Sequence, residues 1–162
     1  MMNDRPSPLT ILVDADACPV KDEIYRVAAR YRAEVFVVSN AAFRIPQDPR
    51  VHRVVVDDGF DAADDWIAEE AARVSPRCVV VTADILLADR CLKAGAKVLA
   101  HNGKIFDKAG IGSAVAMRAI MADLRSGMDG VTGGPPPFGK ADRSNFLQAL
   151  DRVMVALSRM PG

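Results

Sequence analysis

The chain alternates short apolar runs with longer stretches in which apolar residues return every three or four positions. Leu9-Thr10-Ile11-Leu12-Val13, Val35-Phe36-Val37-Val38 and Cys78-Val79-Val80-Val81-Thr82 are nearly continuous apolar runs, the pattern of parallel strands buried on both faces. Val51 to Val56 and Lys97 to Ala100 read as two further strands. Between them, Val20, Ile24, Val27, Ala28 and Tyr31 follow Pro19 at helical spacing, which predicts an amphipathic helix opened by that proline and running to about Arg32. Trp66, Ile67, Ala71 and Val74 predict a second helix, capped by Asp61 and ended before Pro76. A third runs from about Leu86 to Ala94 and is closed by Gly95. Strands that alternate with helices in this way form a mainly parallel sheet with right-handed crossovers, so the expected fold is a three-layer α/β/α, Rossmann-like domain.

After His101 the rhythm changes. Ile105 to Ile111 reads as irregular or a short hairpin, Ser113 to Arg125 as a helix, and Thr132 to Gly139 as a rigid, kinked Gly/Pro connector. A last helix is expected from about Lys140 to Arg159, its stripe of Phe146, Leu147, Leu150, Val153, Met154 and Leu157 facing the core. Met1 to Pro8 is a loose lead-in with two prolines. With no internal repeat, the 162 residues are expected to form one domain carrying additional C-terminal helices.

Composition narrows the function classes. Acidic and basic side chains balance at 21 each, so bulk charge gives no argument for nucleic-acid binding. The charge is uneven, however: seven acids and no Lys or Arg lie between Asp57 and Glu70, while eight Lys or Arg face five acids from His101 onward. Cys18, Cys78 and Cys91 show no metal spacing, and an odd count argues against a disulfide framework, so a reducing cytoplasm is expected. Neither a signal peptide nor a membrane-spanning run is apparent, and no membrane partner is expected.

Candidate chemistry gathers at the strand ends. The first strand ends in Asp14-Ala15-Asp16 and the Cys78 strand leads to Asp84 and Asp89. In open parallel sheets ligands bind outside the carboxyl ends of the strands, so neighbouring strands would bring these acids together. Like charges so grouped would repel without a cation, and hard oxygen donors suit Mg²⁺ or Mn²⁺. Asp64, in the first turn of the Trp66 helix, is a further candidate ligand beside Asp14, Asp16 and Asp84. Each acid has a bland alternative: Asp16 and Asp84 precede helices and could cap them, and Asp64 suits a helix dipole. Asp89 joins the others only if the chain loops after Asp84 before the helix begins.

For the phosphate side of such a site, Lys21 and Arg44 are the best-placed cations, with Arg118, Arg125, Lys140 and Arg143 as lesser candidates. Asn40 and Asn102, each after a strand, could touch substrate, and Thr82 could meet substrate or orient Asp84 or a metal-bound water through its hydroxyl. Cys18, near carboxylates, is a poor nucleophile. Neither His52 nor His101 has a partner at ligand spacing.

Val13-Asp14-Ala15-Asp16-Ala17-Cys18-Pro19, Gly59-Phe60-Asp61-Ala62-Ala63-Asp64, Thr82-Ala83-Asp84-Ile85-Leu86-Leu87-Ala88 and Thr132-Gly133-Gly134-Pro135 together resemble the YaiI/YqxD family, also called DUF188, over nearly the whole chain. The resemblance implies kinship with PIN-like and NYN nuclease domains, hence an acidic Mg²⁺ or Mn²⁺ centre acting on RNA or DNA, with Asp14, Asp16, Asp64, Asp84 and Asp89 at its acidic positions. The chain departs from the NYN-type pattern: Ala83 stands where a glycine usually precedes the acid, and Ile85-Leu86-Leu87 separate Asp84 from the next acid, which weighs against a two-metal arrangement.

The leading expectation is therefore a metal-dependent phosphodiesterase on nucleic acid, RNA above all. An aspartyl phosphatase also begins with Asp-x-Asp after a strand, but Cys18 and the lack of a well-placed lysine before Asp84 count against it. A non-catalytic nucleic-acid or protein binding module is the other alternative. No oligomeric state follows from the sequence.

Overall fold

A computed structural model describes residues 8–57, 59, 61–127 and 138–160, the side chains of 122–127 excepted. The elements run β1 (Thr10–Asp14), α1 (Lys21–Tyr31), β2 (Glu34–Ser39), β3 (Val51–Val55), α2 (Ala62–Val74), β4 (Cys78–Val81), α3 (Ile85–Lys93), β5 (Lys97–Leu99), β6 (Ile105–Phe106), α4 (Lys108–Gly127) and α5 (Lys140–Ser158). The strands form one sheet in the order β3-β2-β1-β4-β5-β6, parallel throughout except for β6.

Alternation along each strand divides the core into two layers. Ile11, Val13, Val35, Val37, Val79 and Val81 meet Ile24 and Val27 of α1 and Phe146, Leu150 and Met154 of α5 on one face. Leu12, Val38, Cys78 and Val80 meet Ile67 of α2, Leu87 and Cys91 of α3 and Ile111 of α4 on the other. These side chains are fully or almost fully buried, which explains why the central strands read as unbroken apolar runs. The fold is the expected three-layer α/β/α arrangement.

Strand order makes β1 the pivot. The chain leaves β1 through α1 to lay β2 and then β3 on one side, and returns through α2 to lay β4 on the other. The crevice between the ends of β1 and β4 is thus the topological switch point, where open α/β sheets bind ligands.

Several boundaries differ from the sequence expectation for local reasons. Helix α1 begins at Lys21, two residues after Pro19, with Val20 as N-cap and no side-chain cap, so Asp16 does not cap it. The Pro19 carbonyl instead accepts a 2.6 Å bond from Arg143 Nη1 of α5. Asp61 takes a left-handed backbone (φ 65°) and its side chain makes no capping bond to α2. Helix α4 starts at Lys108, earlier than the Ser113 expected, because Asp107 Oδ1 accepts from Gly110 N at 2.6 Å. The stretch from Ile105 opens with the short strand β6, which pairs antiparallel with β5. The lead-in up to Ser7 and the connector from Thr132 to Pro137 lie outside the described residues. Among those described, no helix is long and apolar enough to cross a membrane.

Candidate active site at the sheet switch point

Parallel pairing sets Val13 opposite Val81, so the next residues of the two strands, Asp14 and Thr82, stand side by side at the carboxyl edge. Thr82 is fully buried. Its hydroxyl donates to Asp14 Oδ2 at 2.9 Å and accepts from the Asp84 backbone N–H at 3.0 Å. One hydroxyl therefore links the end of β1 to the turn that starts α3.

Asp84 is the N-cap of α3: its Oδ1 accepts from Leu86 N at 2.9 Å and Leu87 N at 3.3 Å. The capping reading of this residue is realised, yet it does not exhaust the carboxylate. Oδ2 has no hydrogen-bond partner among the described residues.

Asp64 comes from the first turn of α2 and is half-buried. Burial pushes its pKa up to about 6, and the charges of Asp84, Asp14 and Asp61 add to the rise, with Arg90 opposing it. Asp64 makes no hydrogen bond or ion pair among the described residues. Asp14 is also raised, first by burial and then by Asp16 and Asp84, with the Thr82 hydroxyl opposing the rise. Three elements thus bring Asp14, Asp64 and Asp84 within one another's electrostatic reach. Asp16 lies in an exposed turn beside them, followed by Ala17 in the left-handed region (φ 53°).

Asp89 is not brought to this group. Helix α3 starts directly at Ile85, and Asp89 pairs with Lys93 one turn on at 3.0 Å. Asp65, beside Asp64, points to Arg90 at 2.9 Å.

Of the candidate substrate contacts, Lys21 opens α1 with its Nζ 5.6 Å from the centroid of the Phe43 ring. Asn40 follows β2 at the same carboxyl edge and is exposed, as is Arg44 in the loop beyond it. Neither Lys21 nor Arg44 has an ion-pair partner among the described residues. Thr82, being buried, orients Asp14 and Asp84. Arg118 and Lys140 are exposed, and Arg143 is engaged with Pro19 O and, at 3.2 Å, Glu23. The Cys18 thiol is pushed up by burial, with Asp14 and Glu23 adding to the effect, as suits an inert thiol. His52 pairs with Glu34 at 3.1 Å and stacks on Phe36, away from the carboxylates.

Among the described residues, no three His, Cys, Asp or Glu side chains stand grouped as a metal-ion site. Asp14, Asp64 and Asp84 nevertheless offer the hard oxygens that Mg²⁺ and Mn²⁺ take. Such a set fits an ion that keeps most of its water, as Mg²⁺ does when held by one or two carboxylates and completed by substrate phosphate.

A cleft lies beside the carboxylates at the turn between β5 and β6, with Asn102, one of the two strand-end asparagines, in its lining. It has a volume of about 560 Å³ and is lined by His101, Lys104, Phe106 and Phe138 among others. The one sequence signal for it was His101-Asn102-Gly103 following a strand at this edge.

Residues 12–156 match the model of a family described as "Uncharacterized BCR, YaiI/YqxD family". The chain belongs to the YaiI/YqxD family. Relatives carrying the designation UPF0178 protein include one from Sphingopyxis alaskensis, 67% identical over 92% of this chain and 95% of its own length. Another, from Azorhizobium caulinodans, is 59% identical over 98% of this chain and 97% of its own length. A UPF0178 protein from Caulobacter vibrioides is 56% identical over 93% of this chain and 95% of its own length. No solved structure matches. The YaiI/YqxD match spans every strand of the sheet except the first two residues of β1. The family description names no reaction, so a function must be argued from the site itself.

Proposed function

We propose that this YaiI/YqxD protein is a Mg²⁺- or Mn²⁺-dependent phosphodiesterase acting on nucleic acid, RNA above all. The observation that carries the reading is Asp64: a half-buried carboxylate without a hydrogen-bond partner among the described residues, its pKa raised to about 6 beside Asp14 and Asp84. Like charges held together at a ligand-binding edge are what a divalent cation would relieve. The kinship with PIN-like and NYN nucleases that the YaiI/YqxD resemblance implies points the same way.

In this reading Asp14, Asp64 and Asp84 hold the ion, and Thr82 keeps Asp14 and Asp84 in register. When bound, the ion polarises a phosphate and favours ionisation of water. Asp16, exposed in the turn beside Asp14, takes a proton from the attacking water; the water oxygen bonds to phosphorus, the P–O bond to the leaving sugar oxygen breaks, and that oxygen takes a proton from solvent. Lys21 and Arg44, free of ion pairs among the described residues, meet the phosphate backbone.

Mn²⁺ calorimetry on the wild type and Asp84→Asn, paired with cleavage of single-stranded RNA, tests this. Asparagine keeps an oxygen able to cap α3, so the substitution removes charge rather than the helix start. Heat and cleavage that Asp84→Asn both abolishes are expected. A non-catalytic nucleic-acid or protein binding module is the second reading: among the described residues no three His, Cys, Asp or Glu side chains stand grouped as a metal-ion site. RNA binding without Mn²⁺ heat and without cleavage would establish that second reading.

A further inference from the structure

The cleft beside the carboxylates combines features that the acidic centre does not use. Ala83 and Ile85, the neighbours of Asp84, line it. So do Ala100, His101, Asn102 and Lys104 of the turn after β5, and Phe138 just before α5. This turn is rigid. Gly103 N donates to Ala100 O at 3.0 Å, Ala100 N to Lys104 O at 2.9 Å, and Lys104 N to the Asn102 side-chain oxygen at 3.0 Å. Gly103 has a φ of +91°, and a Cβ there would lie 2.6 Å from Asn145 O, so the turn is seated directly on the α5 backbone.

Three observations point to a ligand. His101 lines the cleft, and its Nε2 is buried without a hydrogen-bond partner among the described residues. A buried polar nitrogen left so is destabilising unless something meets it. Burial lowers the His101 pKa, so the ring is neutral and offers one donor and one acceptor rather than a charge. Next, two aromatic rings lie in the lining, each with a cation over it: Lys104 Nζ 5.8 Å from the Phe106 centroid and the Arg143 guanidinium 5.2 Å from that of Phe138. Lys104 has no ion-pair partner among the described residues, whereas Arg143 is held by Pro19 O and Glu23. Finally, the volume of about 560 Å³ falls in the range of small-molecule sites, roughly 300–1,000 Å³. Asp142, also in the lining, accepts from Gly139 N at 2.9 Å at the start of α5.

An aromatic platform, a neutral hydrogen-bonding ring and an unpaired ammonium are what a nucleotide requires: a π-face to stack on, a base edge to bond, a phosphate to neutralise. From the juxtaposition of His101, Lys104, Phe106 and Phe138 with the turn that carries Asp84, we infer that this cleft is a nucleobase subsite, which seats an unstacked base of a single strand next to the carboxylate centre. The inference rests on the phosphodiesterase reading for the purpose of the cleft, though base binding is measurable without it.

The test uses the full chain in EDTA, so that no divalent ion takes part. A labelled single-stranded RNA hexamer and an abasic sugar–phosphate hexamer of equal charge are titrated by fluorescence anisotropy. The wild type is expected to bind the base-bearing hexamer about 10-fold more tightly than the abasic one, in keeping with the strength of base–aromatic stacking. Phe106→Ala and His101→Ala are expected to erase that ratio. Phe106→Leu, which keeps apolar volume without the ring, should lower it with the circular dichroism spectrum unchanged, separating loss of stacking from loss of folding. Equal affinity of the wild type for both hexamers, or no binding of either, overturns the inference. Mn²⁺ calorimetry on the wild type reports on the carboxylates alone: no heat, with the wild-type hexamer ratio intact, would sink the phosphodiesterase reading and leave the subsite standing.

Discussion

Thr82 Oγ1 donates to Asp14 Oδ2 at 2.9 Å across the switch point of the sheet, and the same oxygen accepts the Asp84 N–H. Two halves of the candidate site therefore depend on one buried hydroxyl. Thr82→Val keeps the shape and removes both bonds, leaving a part-buried N–H and a part-buried carboxylate without that partner. A loss of about 1–3 kcal/mol in urea unfolding is expected. Because the hydroxyl holds the Asp14 pKa down, the variant should also raise it further, read from carboxyl carbon shifts in an NMR titration. Thr82→Ser should restore both. A Val variant as stable as the wild type would show that the hydroxyl does not hold the two segments together.

Asp64 supplies a pH dependence of defined sign. Its folded pKa, about 6, exceeds the ordinary value of 3.8, so between these limits the native state keeps a proton that the unfolded chain has released. Stability of metal-free protein therefore falls as pH rises from about 4 to 6; the penalty is absent below this window and complete above it. Asp64→Asn should flatten that part of the profile and stabilise the protein at pH 7 by on the order of 1 kcal/mol, a figure discounted for solvent screening of a half-buried group. Chemical denaturation of both proteins at pH 4 and pH 7 checks it, and parallel profiles would count against a strained Asp64.

Much of this was legible in the chain because the relevant signals are local. Continuous Val runs specify strands buried on both faces, and three-residue helical repeats specify the crossovers, so the α/β/α fold followed. Asp84 was readable as either cap or ligand, and its two oxygens explain why both readings fit: one caps α3, the other is left without a partner among the described residues. Asp89 was misjudged because its position turns on where α3 begins. The Asp84 cap starts that helix at once and turns Asp89 toward Lys93. The α1 boundary differs because Pro19 reads as a helix start, whereas Pro19 and Val20 are turn residues and the helix begins at Lys21. The shape of the cleft at His101 is not legible for another reason: its lining joins residues from the β1–α1 turn, the start of α3, the β5–β6 turn and the start of α5, long-range neighbours that no periodicity encodes.

Gly103 carries its own prediction. Alanine there would adopt a left-handed backbone and drive its Cβ to 2.6 Å from Asn145 O, a backbone atom that cannot swing aside. Gly103→Ala is expected to cost at least about 2 kcal/mol, a fall of roughly 4–8 °C in Tm for a chain of this size. The turn must shift away from α5 to relieve the clash, and this should move the His101 ring resonances. An unchanged Tm would mean the turn is less closely seated on α5 than the geometry requires.

Asp84 caps α3 and Asp89 lies more than a turn further along the same helix, so contrasting them separates a metal ligand from a surface charge. Asp89 is joined to Lys93, whose side chain is 75% exposed, and an i,i+4 pair of this kind is worth about 0.3–0.5 kcal/mol. Asp89→Asn should therefore leave thermal stability almost unchanged and leave Mn²⁺ heat at the wild-type value. Asp84→Asn should retain the helix cap and lose the heat. Mn²⁺ should accordingly raise the Tm of the wild type and of Asp89→Asn, since a ligand that binds only the native state stabilises it, and should leave that of Asp84→Asn where it was. If instead Asp89→Asn removed the Mn²⁺ effect, α3 would have to unwind its first turn to bring Asp89 inward, and the site would be assembled by the ion rather than held ready by the sheet.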